Sequence, residues 1–105
     1  METAGDTLRQ NYLVAYDVSN PKRLRRVAAA LEDFGDRVQL SVFLCELSRR
    51  DLAALRERLR DVLDHGEDQV LFATLSAGGT RAGRRRPVET LGRVLATRER
   101  RGWVL

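Results

Sequence analysis

The chain has 105 residues, 43% hydrophobic and 32% charged, a balance that fits one globular domain and excludes a disordered or collagen-like chain. It has no apolar run long enough for a membrane-spanning helix and no cationic start followed by an apolar segment. One cysteine and one histidine can form neither an intrachain disulfide nor a four-ligand zinc site, so a cytoplasmic location is expected. The net charge of +4 is uneven: residues 1–80 carry 11 Lys/Arg against 13 Asp/Glu, and residues 81–105 carry 8 Arg against 2 Glu.

A loose polar leader over residues 1–10 precedes a first strand over 11–18. Apolar residues occupy both alternating faces of this segment, and the same holds in 39–47 and 69–75, whereas a sheet with one wet face should alternate apolar and polar. A second copy of the chain is therefore expected to cover the second face. A two-fold pair would bring together two copies of any residue near its axis, and the one acid of the first strand is Asp17.

Asn20 and Pro21 are a helix-start signal. A helix from Pro21 to about Phe34 follows, with Leu24, Val27, Ala28, Leu31 and Phe34 on one face. Lys22, Arg23, Arg25 and Arg26 crowd its first turns against the helix dipole, which favours anions there; a phosphate partner explains them better. Gly35 is read as the C-terminal cap. Residues 36–47 read as two strands joined near 39–41. Ser48 with Asp51 resembles a capping box and opens a second helix. Its core face is Leu52, Leu55, Leu59, Val62 and Leu63, while Arg56, Glu57, Arg58, Arg60 and Asp61 face water. A turn over 65–68 leads to a strand over 69–75.

The order is βαββαβ, a ferredoxin-like α+β pattern with an antiparallel sheet. It implies a domain over 11–76 and an Arg-rich extension over 77–105. A basic linker after Ser76 gives way to residues 88–105, whose apolar positions fit either strand or helix; one reading is a short extra strand around Val88 to Gly92, which would join an exposed sheet edge, of its own or of the other subunit. The basic tail either tracks a polyanion, since neutralised phosphates release counterions, or is a solvated segment.

The chemical inventory is thin. There is no glycine-rich phosphate loop after the first strand. His65 falls in a turn, and Cys45 lies inside a strand, where a small buried hydrophobe is expected. Ser41 has no base at a supporting spacing. Asp17 ends a strand just before a helix start and a cluster of cations, where a hard cation and a phosphate can meet. Two symmetry-related Asp17 carboxylates would suit Mg²⁺; the alternative is that Asp17 accepts turn or cap hydrogen bonds.

The sequence carries Tyr16-Asp17, then Asn20 and Lys22-Arg23, and later Gly35-Asp36-Arg37-Val38-Gln39-Leu40-Ser41-Val42-Phe43. In these residues, and over 11–75 as a whole, it resembles the small CRISPR-associated adaptation proteins of the Cas-two family, described as metal-dependent endonucleases and as the scaffold of the spacer-integration complex in antiviral defence. The resemblance implies a sheet-to-sheet homodimer with facing Asp17 carboxylates binding Mg²⁺, with Asp17 as the catalytic residue. It also implies that Arg23, Arg26, Arg37, Ser41 and Phe43 lie near the nucleic acid or the dimer core, and that the Cas-one integrase is a partner. Two roles stay open: a nuclease acting on RNA or DNA, and a non-catalytic DNA-binding bridge between integrase dimers.

Overall fold

The computed structural model describes residues 8–75 and 88–93, and expectations for 1–7, 76–87 and 94–105 lie outside them. The elements are β1 (Gln10–Asp17), α1 (Pro21–Glu32), β2 (Gly35–Gln39), β3 (Val42–Leu47), α2 (Arg49–Val62), β4 (Gln69–Thr74) and β5 (Val88–Gly92). The strands form one sheet in the order β2-β3-β1-β4-β5, with every neighbouring pair antiparallel. The first four strands thus have the arrangement of the βαββαβ pattern. Among the described residues, no helix is long and apolar enough to cross a membrane.

Both helices start at residues that satisfy exposed backbone donors. The Asn20 side chain accepts from the Arg23 amide at 2.9 Å, and Pro21 occupies the start of α1. At α2, the Asp51 amide donates to Ser48 Oγ at 3.0 Å and the Ser48 amide donates back to Asp51 Oδ2 at 3.4 Å, completing the capping box. Arg9 adds a charged contact to Asp51 at 3.0 Å, which ties the entry to β1 to the start of α2.

Strand periodicity separates two faces. On one, Val14 stands between Phe43 and Phe72, and Tyr16 stands beside Val70, which pairs in turn with Leu91. These residues are buried in a core completed by Val27, Ala30 and Leu31 of α1 and by Leu52, Leu55 and Leu59 of α2. On the opposite face, Leu44, Leu13, Ala73 and Val88 form one row across four strands, and Val42, Ala15 and Leu71 form the next. None of that second set is fully buried, and Leu44 and Val88 are exposed. One chain therefore leaves an apolar sheet face open, as the two-faced strands predicted.

Three local expectations need correction. Leu24 is exposed and lies off the core face of α1, where Ala30 is buried instead. The C-cap of α1 is Asp33, while Gly35 opens β2; a Cβ on Gly35 would collide with the Leu44 carbonyl oxygen and with Cys45 Sγ, so its role is close strand contact. Arg56 does not stand in water: it is half-buried and ion-paired with Glu89, which ties α2 to β5. β5 itself spans the expected residues and pairs with β4 of its own chain, in register from Gln69↔Gly92 to Ala73↔Val88.

Candidate functional site

The topology brings the end of β1, the β2–β3 turn, the start of β4 and the end of β5 to one margin of the sheet. Asp17 pairs with Gln69, and Gln69 pairs with Gly92. The Tyr16 amide donates to the Ser41 carbonyl at 3.1 Å, so the turn after β2 lies beside the same strand end. Asp17 shares the side of β1 that carries Leu13 and Ala15, and its side chain is 74% exposed on the open face.

Asp17 is not alone there. Arg93 Nη2 donates to Asp17 Oδ2 at 3.0 Å. The Arg93 backbone is fixed on both sides, its amide donating to the Asp68 carbonyl at 2.7 Å and its carbonyl accepting from Gln69 Nε2 at 2.8 Å. Arg93 Nε also donates to the Glu67 carbonyl at 3.3 Å. The turn that aims Arg93 depends on Gly92, which has φ +93° and packs so tightly on Asp68 that a Cβ would meet the Asp68 carbonyl oxygen; an L side chain rarely adopts that conformation.

Immediately behind this surface, Asp68 is fully buried and receives Arg23 Nε at 2.7 Å and Arg23 Nη2 at 3.3 Å, together with the Asp64 amide at 2.9 Å. Burial acts to raise the Asp68 carboxyl, but the Arg23 hydrogen bond and the Asp64 amide outweigh it and hold the group below the usual carboxylate value. The Arg23 guanidinium is raised in turn, chiefly by its hydrogen bond to Asp68. Arg23 Nη2 also reaches Glu67 Oε1 at 3.1 Å, so Nε and Nη2 of Arg23 are both held by carboxylates of this chain.

The other expected site residues divide by exposure. Arg26 is exposed on α1 next to Lys22 and Arg25. Arg37 donates to the Leu40 carbonyl at 2.6 Å and stacks over Phe43, with Cζ 5.0 Å from the ring centroid, leaving the guanidinium half-exposed. Phe43 is fully buried against Tyr16, so it is a core ring. Ser41 is half-buried at the turn. His65 is an exposed turn residue beside the Arg60 carbonyl. Burial, with a smaller contribution from Asp36, pushes the Cys45 thiol up to about 11, which keeps it an inert thiol at neutral pH.

Sequence reasoning missed Asp68 and Arg93. Asp68 was one polar residue of a turn, and Arg93 was one arginine among the eight of residues 81–105. The cue for Arg93 was its position directly after a glycine that ends a strand.

Among the described residues, no three His, Cys, Asp or Glu side chains cluster closely enough to hold a metal ion. One exposed hard-oxygen donor per chain nevertheless fits Mg²⁺, which keeps several waters and takes one or two carboxylates plus phosphate oxygens. Asp17 is an exposed carboxylate of that kind.

The model of the family described as CRISPR associated protein Cas2 matches residues 10–81. A CRISPR-associated endoribonuclease Cas2 of Synechocystis sp. is 42% identical over 65 residues, which are 62% of this chain and 71% of that protein. A CRISPR-associated endoribonuclease Cas2 of Rhodospirillum rubrum is 34% identical over 105 residues, covering the whole of both chains. Among solved structures, a hypothetical protein from Thermus thermophilus superposes with a TM-score of 0.64 at 40% identity, over 66% of this chain and 84% of that one. Streptococcus pyogenes Cas2 superposes with a TM-score of 0.58 at 33% identity, over 72% of this chain and 95% of that one. With the family model matching well over half of the chain and a relative 34% identical over its whole length, the chain belongs to the CRISPR-associated Cas2 family.

Proposed function

We propose that this protein is a CRISPR-adaptation endonuclease that cuts phosphodiester bonds of RNA or DNA with Mg²⁺, and that it works as a homodimer paired through the open faces of its sheets. The observation that carries the reading is Asp17: an exposed carboxylate at the rim of an uncovered apolar sheet face, at the margin where α1 begins with Lys22, Arg25 and Arg26 exposed. The relatives named endoribonuclease and endonuclease support the reaction class.

Pairing would cover Leu13, Leu44 and Val88 and bring two Asp17 carboxylates toward one axis. Bound Mg²⁺ supplies a water of lowered pKa and neutralises charge developing on the phosphodiester. Asp17 anchors that ion. Arg26 and Arg37 hold backbone phosphates by charge, with Ser41 as a neutral hydrogen-bonding group beside them. Arg23 braces α1 against Asp68 so that the basic turn of the helix keeps its place beside Asp17. Phosphate contacts of this kind position the polymer and carry no sequence preference.

A second reading has its own support. Arg93 engages Asp17, and no further acid joins it in a metal-holding cluster among the described residues, as would suit a non-catalytic, DNA-binding scaffold that bridges Cas-one integrase dimers during spacer acquisition. Asp17→Asn separates the two. With purified protein, cutting that requires Mg²⁺, stops on chelation and is lost in D17N supports the nuclease; cutting that persists in D17N overturns the site. Spacer acquisition that survives D17N in cells assigns the biological role to the scaffold. Leu13→Glu should convert the paired protein to single chains on a sizing column, and unchanged elution would sink the face-to-face arrangement.

A further inference from the structure

We propose that Arg93 is a phosphate-holding residue of the Asp17 site, and that its guanidinium and a divalent cation compete for the Asp17 carboxylate. The inference rests on the reading of Asp17 as a cation ligand and goes beyond it in assigning a role to the residue that touches it. Arg93 Nη2 lies 3.0 Å from Asp17 Oδ2, one of the two oxygens of the carboxylate that would bind a cation.

This contact is not needed to keep β5 in place. The Arg93 amide and carbonyl are already bonded to the Asp68 carbonyl and to Gln69 Nε2, and an ion pair between partly exposed groups adds little stability. Gly92 spends its positive φ on a turn that delivers the Arg93 side chain to this point. The backbone of Arg93 is therefore fixed, while its guanidinium is held by the exposed Asp17 carboxylate and by the longer 3.3 Å bond to the Glu67 carbonyl.

Two consequences follow from the chemistry of a guanidinium. While Arg93 holds Asp17, part of the carboxylate's charge is already answered, and a cation has to displace that contact. Once displaced, the guanidinium stays within a side chain's length of Asp17 because its backbone does not move. It can then present its planar pair of donors to the phosphate that the cation also binds. Arg93 would thus guard the site in the absence of substrate and grip the phosphate in its presence.

The test uses the full chain, with Mn²⁺ as the metal probe followed by electron paramagnetic resonance, and a short oligonucleotide as the polymer probe. Arg93→Gln should bind Mn²⁺ about two- to fivefold more tightly, the equivalent of losing one exposed ion pair, and should bind the oligonucleotide more weakly in the presence of metal. Arg93→Lys should keep Mn²⁺ affinity near that of the parent, because the charge remains, and still weaken oligonucleotide binding, because the fork is lost. A purely structural role for Arg93 would not tighten metal binding. If Asp17→Asn abolishes Mn²⁺ binding while Arg93→Gln leaves it unchanged, this inference falls and the Asp17 reading stands. If Arg93→Gln tightens Mn²⁺ but leaves oligonucleotide binding intact, the phosphate role is overturned. If Asp17→Asn leaves Mn²⁺ binding untouched, the site reading fails and takes this inference with it.

Discussion

Two aspartate–arginine pairs stand at the same margin of the sheet, Asp68 with Arg23 and Asp17 with Arg93, and they differ in access to water. The Asp68 side chain is 0% exposed and that of Asp17 is 74% exposed, at oxygen–nitrogen distances of 2.7 and 3.0 Å. The same chemistry does different work in the two places. A buried carboxylate cannot give up its cation without standing uncompensated in a low dielectric, so Asp68 and Arg23 belong to the fold. An exposed carboxylate can exchange one cation for another because water supports both states, which leaves Asp17 available for binding.

The strongest way to break this comparison is to remove the buried acid. Asp68→Ala should cost about 2–3 kcal/mol of folding stability, read from the urea midpoint, because the buried carboxylate's bonds to Arg23 and to the Asp64 amide are lost together. A loss below about 1 kcal/mol would mean the pair is not structural. Acid should find the same pair next. With the folded Asp68 carboxyl held below its usual value, its contribution is complete above about pH 5, where the unfolded group is almost fully ionised, and is lost as pH falls through the lower folded value. Urea midpoints measured from pH 5 downward should fall more steeply in the parent than in D68A. Some slope will remain in D68A, because Asp51 is also lowered: its burial is outweighed by the Ser48 amide and by Arg9.

Gly92→Ala sharpens the comparison from the other side. It should cost about 1–2 kcal/mol, through a positive φ and a Cβ driven toward Asp68, and it should loosen Asp17 from Arg93 while leaving Arg23 on Asp68. The smallest effect belongs to Asp17→Asn. Stability should change by no more than about 0.5 kcal/mol while metal-dependent cutting disappears, and a large loss of stability would place Asp17 with the structural pair.

Elements that depend on local signals were legible in the sequence. Asn20 with Pro21, Ser48 with Asp51, and the turn between β2 and β3 each carry their cue within a few residues, whereas residues 88–92 fit either strand or helix and their pairing with β4 decides between them. Asp17 was legible for the same reason, as the acid at a strand end before a helix start. The partners of the two carboxylates were not, because Arg23 and Asp68 are 45 residues apart and Asp17 and Arg93 are 76 apart. No periodicity spans such a gap, and a guanidinium looks the same in sequence whether it ends in solvent or against a buried acid. Leu24 failed differently: its spacing fitted the apolar stripe of α1, but the stripe is centred on Val27, Ala30 and Leu31.

The outer strand β2 shifts register between Arg37 and Gln39, and its residues from Asp36 to Gln39 are exposed. Such an irregular rim offers a poor template for strand addition from a neighbouring molecule. Growth along the hydrogen-bonding direction would have no natural end, whereas contact through broad apolar surfaces stops once those surfaces are used up. The register shift in β2 therefore makes that edge a poor seed for fibre growth.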